Sequence, residues 1–89
     1  MATFFRDSAF KHGFGEDDYH EVCRNRNVRV RSRRGHPGVY EVFGRNDVGE
    51  YVHIVTRRYV YQGERVVMVF HMASMGERDR RWFRRMTQP

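Results

Sequence analysis

With 89 residues, the chain is long enough for one folded domain and too short for a second hydrophobic core. Aromatic residues make up 15% of the sequence, which argues against a disordered chain even though 31% of the residues are charged. The formal net charge is +6 and Lys11 is the only lysine, so arginine supplies nearly all of the positive charge. A basic, arginine-rich surface predicts an anionic partner, either nucleic acid or an acidic protein.

The sequence contains neither an apolar stretch approaching the roughly 18 residues of a membrane span nor a basic leader followed by an apolar run. We therefore expect a single domain, residues 1–89, located in the cytoplasm without membrane association. Cys23 is the only cysteine, so an internal disulfide is excluded, which agrees with a reducing compartment. We expect Cys23 to act as a small buried apolar residue.

The N-terminal part predicts a short apolar lead and two helices. Residues 1–5 are suited to an edge strand. Asp7 or Ser8 is suited to cap a first short helix that ends near Gly13. A run of three acidic residues then favours a second helix over residues 16–25, since negative charge stabilises a helix N-terminus.

Four strands are predicted in the middle of the chain, where apolar and polar residues alternate between turns rich in Gly, Pro and Asn. The strands are residues 28–33, 39–45, 50–59 and 65–72, and the turns between them are residues 35–38, 46–49 and 62–63. The last strand is apolar on both faces, which indicates a position near the middle of the sheet. The spacing of these segments predicts a mostly antiparallel meander.

A closing helix is predicted from about Gly76 to Met86, with Ser74 as its cap and Glu77 completing a capping box. The fold class is therefore α+β: two short N-terminal helices, a four-stranded mostly antiparallel sheet and a C-terminal helix. We expect all three helices to lie on one face of the sheet.

Strand alternation predicts which side chains share a surface. The side chains expected to face the helices are Val28, Val30, Val42, Val52, Ile54, Met68 and Phe70. Those expected on the opposite face are Arg29, Arg31, Glu41, Tyr51, His53, Arg57 and His71. Arginines, an aromatic ring and imidazoles on one open sheet are suited to hold and stack RNA. The alternative is an ordinary solvated face, because a register slip of a single residue would reverse the assignment.

The closing helix adds five arginines, of which Arg78 and Arg81 are the main candidates for contacts with RNA phosphates. Trp82, Phe83 and Met86 are expected to pack on the core. The alternative interpretation of this helix is a solvated amphipathic surface.

Several short motifs resemble one bacterial protein family. They span Lys11–Gly13, Tyr40–Arg45, Gly49–Arg58 and Phe70–Phe83. Their order and spacing are similar to those of the small BrnT-like toxins, which belong to the RelE/ParE-type fold of toxin–antitoxin pairs. The chain departs from that pattern at Met72-Ala73-Ser74, where the family has Ala-Arg-Arg, so two family arginines are missing.

The resemblance implies a toxin that cleaves RNA without a metal ion and is neutralised by a cognate acidic antitoxin, with which it forms oligomers. By the same resemblance, His12, Arg57, and Arg78 or Arg81 are carried over as functional residues. His12 alone has an alternative role as a helix-end cap.

The residue types suit this chemistry. Cleavage requires that the RNA 2′-OH lose a proton, that the leaving oxygen gain one, and that cations stabilise the phosphate. His71 or His53 is the candidate acid or base, and Glu41 is a candidate base if it is partly desolvated. Arg57, with the arginines of the closing helix, is a candidate phosphate-stabilising cation. His36 is expected to be incidental.

The sequence favours neither a metal site nor a cofactor. A lone cysteine and scattered histidines lack a zinc-ligand framework, and no glycine-rich nucleotide loop is present. Two non-enzymatic alternatives stay open: a basic module that binds nucleic acid or an antitoxin without cleavage, and a protein–protein module whose basic face docks an acidic chain.

Overall fold

The computed structural model describes residues 2–32 and 36–88. In chain order the elements are β1 (Ala2–Phe5), a 3-10 helix (Asp7–Phe10), α1 (Glu16–Arg24), β2 (Asn27–Arg31), β3 (Val39–Arg45), β4 (Tyr51–Tyr61), β5 (Glu64–Ser74) and α2 (Glu77–Thr87). Arg33 and Gly35, predicted at a strand end and in a turn, lie outside the described residues. Within those residues, no helix combines the length and the apolar character that crossing a membrane requires.

The five strands form one mixed sheet in the order β1-β5-β4-β3-β2. Neighbouring strands are antiparallel except β1, which runs parallel to β5 and pairs Ala2–Phe5 with 66–69. The α+β class is confirmed, whereas the prediction of four strands is wrong. The apolar N-terminal segment Ala2–Phe5 becomes a fifth strand because it pairs with the free edge of β5.

The helices lie on both faces of the sheet, so the prediction of a single helical face is wrong. Val22 of α1 is fully buried in one core cluster with Val42 and Ile54. Phe83 of α2 is buried in a second cluster with Phe43. Because Val42 and Phe43 are adjacent on β3, their side chains point to opposite faces. We call these two surfaces the α1 face and the α2 face.

The register of β2 reverses part of the predicted surface assignment. Val28 pairs with Phe43, and residues directly opposite each other in a sheet share a face, so Val28 lies on the α2 face. Arg29 pairs with Val42 and therefore lies on the α1 face. The sequence had grouped Val28 with Val42. Both sheet faces carry apolar residues, so alternation within β2 could not show which face was which.

A β-bulge determines which face of the sheet the side chains of β5 lie on. Val55 pairs with His71, whereas the next residue, Thr56, pairs with Val69, so Phe70 is the extra residue. The bulge allows both His71 and Met68 to share a face with alternate residues of β4, although they are three positions apart. Met68 and Phe70 were predicted to face the helices of the core, and this prediction is wrong.

Helix starts differ from the predicted caps. Ser74 is the last residue of β5, and α2 begins after Gly76 without a side-chain cap hydrogen bond, so the Ser74 cap is wrong. Neither Asp7 nor Ser8 caps the 3-10 helix, since both are helical residues after Arg6. Helix α1 begins as predicted, where the Gly15 amide donates a 2.8 Å hydrogen bond to Asp18.

The exposed face of α1 includes Cys23, which corrects its predicted burial. Val22 is the buried residue of this helix. The turn from β3 to β4 packs against the same helix: the buried Asn46 side chain donates to Asp18 and to Glu50, each at 3.0 Å. Asn46 therefore fixes α1 relative to the sheet.

Candidate active site

Three imidazole rings meet on the α2 face. The ring centroids of His12 and His71 are 5.2 Å apart, and those of His53 and His71 are 6.1 Å apart. His71 pairs with Val55 on the adjacent strand, two residues from His53 and on the same face. The sheet register thus brings together three predicted site residues that are distant in the sequence.

His12 lies next to His71 because the 3-10 helix that precedes it is hydrogen-bonded to β5. The Ser8 hydroxyl donates a 2.8 Å hydrogen bond to the carbonyl oxygen of Phe70, immediately before His71. Ala9 of the same helix is fully buried. The 3-10 helix has no basic residue in its last turn, so His12 is not the helix-end cap that was the alternative. His12 is exposed, and it lies at the solvent side of the half-buried His71.

His53 is held by two contacts. Its Nε2 lies 2.8 Å from Oε1 of Glu41, and both side chains are about three-quarters buried, with exposures of 21% and 23%. The ring of Phe43 stacks on the imidazole with centroids 4.5 Å apart and planes at 10°. In the neutral ring, donation of the Nε2 proton to Glu41 leaves Nδ1 as an acceptor, and protonation turns Nδ1 into a donor.

The pKa of His71 is shifted by its surroundings. Burial lowers the pKa of the imidazole below its ordinary value of 6.5, because the apolar surroundings disfavour the charged form. The neighbouring imidazoles of His53 and His12 lower this pKa further by charge repulsion. His71 is therefore neutral near pH 7, which is the state that accepts a proton.

The cavity in front of the His53 and His71 rings has a volume of about 580 Å³. It is lined by Glu41, His53, Val55 and His71 from the sheet, and by residues of the β2–β3 connection that include His36. We call it the histidine cavity. None of the described residues that line it is an arginine. His36, expected to be incidental, is thus an exposed part of the cavity wall.

A second depression, the arginine groove, lies between the sheet and α2. Its volume is about 500 Å³, and its lining includes Glu41, Phe43, Arg78, Arg81, Trp82 and Arg85. Spacings of three and four residues place the arginines on one side of the helix. Glu41 lines both depressions, so the groove and the histidine cavity are neighbours.

The guanidinium groups of the groove lack ionic partners in the part of the chain that the structure describes. The ion pairs there join Arg24 to Asp47 and His53 to Glu41. Arg78, Arg81 and Arg85 are exposed, and their charges attract an anion into the groove. Arg31, the last residue of β2, pairs with Tyr40 and so has the α1-face register of Arg29, which corrects its predicted grouping with Glu41. It nevertheless lines the groove from the end of the strand.

Other predicted residues lie elsewhere. Arg57 is exposed and lines a separate depression beside Phe70, outside the histidine cavity. Arg29 lies on the α1 face, where its charge acts on Tyr19. The Tyr51 ring has the guanidinium groups of Arg45 and Arg84 at 4.8 and 5.9 Å from its centroid. Tyr51 therefore forms cation–π contacts with these two arginines. It lines a third depression, which no histidine lines.

Sequence reasoning missed two aromatic residues of the site. Phe43 supports His53, and Trp82 packs edge-on against Phe43 with centroids 5.0 Å apart. Trp82 packs against the core cluster of Phe43 and Phe83, as predicted, and its half-buried side chain also lines the arginine groove. The sequence feature that could have identified Phe43 is its position two residues after Glu41, since alternate residues of a strand lie on the same face.

Among residues 2–32 and 36–88, no group of three His, Cys, Asp or Glu side chains has the arrangement of a metal site. A comparison of the chain with protein-family models, curated proteins and solved structures finds no match.

Proposed function

We propose that the protein is a metal-independent endoribonuclease that acts as the toxin-like component of a type II toxin–antitoxin pair. The observation that carries the proposal is the convergence of three imidazoles and one carboxylate beside the arginine groove. Asp79 also lines this groove, but none of its arginines forms an ion pair among the described residues. Acid–base side chains next to fixed cations are what RNA transesterification requires. The motif resemblance described above supplies the toxin–antitoxin context.

In this proposal neutral His71 removes the proton from the RNA 2′-OH, and the oxygen attacks the adjacent phosphorus atom. Protonated His53 gives its proton to the leaving 5′ oxygen, which yields a cyclic 2′,3′-phosphate and a free 5′ hydroxyl. Glu41 acts through its hydrogen bond to His53 and is a positioning residue. His12 contacts the phosphate from the solvent side, and Arg78 and Arg81 bind the flanking backbone.

The partner side of the proposal is an acidic antitoxin, encoded with this chain, that covers the basic α2 face. Charge complementarity supports such a partner, since the net charge is +6 and the groove arginines are exposed. The proposed location is the cytoplasm, where both RNA and such a partner are available.

The test is incubation of the purified protein with labelled single-stranded RNA in excess EDTA. We expect cleavage by the wild type and a loss of about 10²- to 10⁴-fold in His71→Ala, the usual contribution of a general base. His20→Ala is the matched control, because His20 is an exposed histidine on α1, outside the histidine cavity. Intact RNA after long incubation with the wild type would sink the ribonuclease proposal.

A second candidate function is a non-catalytic relative that binds nucleic acid or an antitoxin. The observation that favours it is the lack of arginine among the described lining residues of the histidine cavity. Ala73, at one of the two missing family arginines, pairs directly with His53. This candidate predicts RNA binding that weakens with salt, by a slope of about −0.7 per phosphate contact, and no cleavage.

A further inference from the structure

A patch of aromatic and arginine side chains lies at the other end of the α2 face. Arg6, Arg57, Tyr59, Met68 and Phe70 line a depression of about 320 Å³. We call it the hairpin patch, because most of its residues belong to the hairpin of β4 and β5. The guanidinium of Arg6 lies over the ring of Phe70, 5.4 Å from its centroid. A planar guanidinium stacked on a ring leaves its other side open to a base.

The hairpin patch and the histidine cavity occupy one continuous surface. His53, Val55, Arg57 and Tyr59 alternate along β4 and so share a face. On β5 the bulge at Phe70 keeps His71 and Met68 on that face, opposite Val55 and Arg57. His53 and Arg57 are four residues apart on β4, a distance of roughly 13 Å along the strand. A nucleotide bound at Arg57 is therefore different from the nucleotide bound at His53.

Arg6, Arg57 and Tyr59 of the hairpin patch are exposed to solvent. β3 pairs with β4 only as far as Arg57, so Tyr59 projects beyond the part of the sheet that β3 covers. Tyr59 is 36% exposed, and none of the ring–ring or cation–π contacts among the described residues involves it. No carboxylate there pairs with Arg6 or Arg57. Exposed aromatic surface bordered by unpaired cations is typical of a binding site.

We propose that the hairpin patch is a base-stacking subsite for single-stranded RNA, on the same strand whose phosphate enters the histidine cavity. Tyr59 and the Arg6–Phe70 stack take unpaired bases, and Arg57 contacts the backbone between them. This inference rests on the proposed function and deepens it. It makes the substrate an unpaired RNA segment longer than a dinucleotide, and it makes Arg57 a binding residue.

Single-stranded RNA fits this surface better than an acidic peptide does. The patch offers flat ring and guanidinium faces, which every base can stack on, together with positive charge for a backbone. It also continues directly into a cavity with acid–base side chains, which an acidic peptide would not use. Duplex RNA is excluded as the preferred form because its bases are not available for stacking.

The experiment measures binding without requiring cleavage. The wild-type protein is titrated against a fluorescein-labelled 2′-O-methyl octanucleotide, whose blocked nucleophile prevents reaction, and against a trinucleotide and a duplex of the same composition. We expect Tyr59→Ala to weaken octanucleotide binding about 5- to 100-fold, the range for loss of one stacked base. Tyr61→Ala is the matched control, since Tyr61 is an exposed tyrosine of the same hairpin that does not line the patch.

The outcomes separate this inference from the proposed function. Weaker binding by Tyr59→Ala supports the subsite even if natural RNA is never cleaved, in which case only the ribonuclease proposal fails. Equal octanucleotide affinities for the wild type, Tyr59→Ala and Tyr61→Ala overturn the subsite even if RNA is cleaved. Tyr59-dependent binding of a glutamate-rich peptide, with no binding of the octanucleotide, overturns it in favour of a protein partner.

Discussion

The surroundings of His71 all act against its positive charge. Burial lowers the pKa of the imidazole most, followed by the nearby rings of His53 and His12. The Glu41 carboxylate of β3, which lines the same cavity as His71, is hydrogen-bonded to His53. A histidine in this position is a base at neutral pH without any added partner.

The same shift affects stability. The folded-state pKa of His71 lies below the value of 6.5 that the unfolded chain has, so the folded state binds fewer protons between the two values. The contribution of His71 to the free energy of unfolding is therefore fully present above pH 6.5. It is lost as the pH falls through the folded-state pKa.

Replacing His12 by glutamine tests the charge coupling directly. The substitution removes a like charge, so the pKa of His71 rises and the ascending limb of the cleavage pH profile moves to higher pH. It stays below 6.5 because burial, the larger cause, is unchanged. The measurement is kcat/KM against pH in EDTA, with His20→Gln as the control. A limb that stays in place, or that moves to lower pH, would contradict the coupling.

Among the elements, α1 packs closely against the sheet at Gly44 of β3. A Cβ atom at this position would lie 2.8 Å from Cγ1 of Val22 and 3.2 Å from Cβ of Asn27. Val22 is fully buried, so it cannot turn away into solvent. The hydrogen bond from Asn46 to Asp18 holds the helix in this position.

Gly44→Ala is therefore expected to destabilise the fold by about 1–3 kcal/mol through overpacking. The measurement is urea unfolding followed by circular dichroism. Gly76→Ala is the matched control, because no atom lies within 4 Å of its ideal Cβ position. In a double-mutant cycle, Val22→Ala should recover part of the loss, since it removes the clashing methyl group. Equal stabilities of Gly44→Ala and the wild type would show that α1 does not pack there.

At the scale of the whole molecule, positive charge flanks the histidine cavity on both sides. The arginine groove lies toward α2, and the hairpin patch lies toward β1. The molecule extends 39 Å along its longest axis, which gives a single strand room to contact both regions. The proposed ribonuclease would attract RNA by this charge and act where the histidines lie.

Expression of the chain alone in a bacterial host is predicted to arrest growth, because unrestrained RNA cleavage stops protein synthesis. His71→Ala should relieve the arrest at the same soluble protein level, whereas His20→Ala should not. The measurement is colony counts after induction, with the amount of protein checked by immunoblotting. Unimpaired growth with abundant soluble wild type would count against the toxin role.

Much of the secondary structure could be predicted because it is determined by residues that are close together in the sequence. The acidic start of α1, the alternation of β3 and the turn at 46–49 depend on residues close in sequence, and their boundaries agree with the structure within about two residues. The predicted helix after Gly76 was right for the same reason. The caps at Ser8 and Ser74 failed because long-range contacts act on those segments: a hydrogen bond to Phe70 and strand pairing with Val52.

The sequence by itself determined the α+β class, the arginine-dominated charge and the choice of His53, His71 and Glu41 as candidates, since composition and local periodicity contain that information. Only the tertiary structure decided that His12 lies next to His71, and that Arg29 and Arg57 lie away from the histidine cavity. The tertiary structure also decided that α1 and α2 cover opposite faces of the sheet. The physical reason is that register, the bulge at Phe70 and parallel pairing of β1 depend on contacts between residues far apart in the chain, where alternation fixes relative but not absolute orientation.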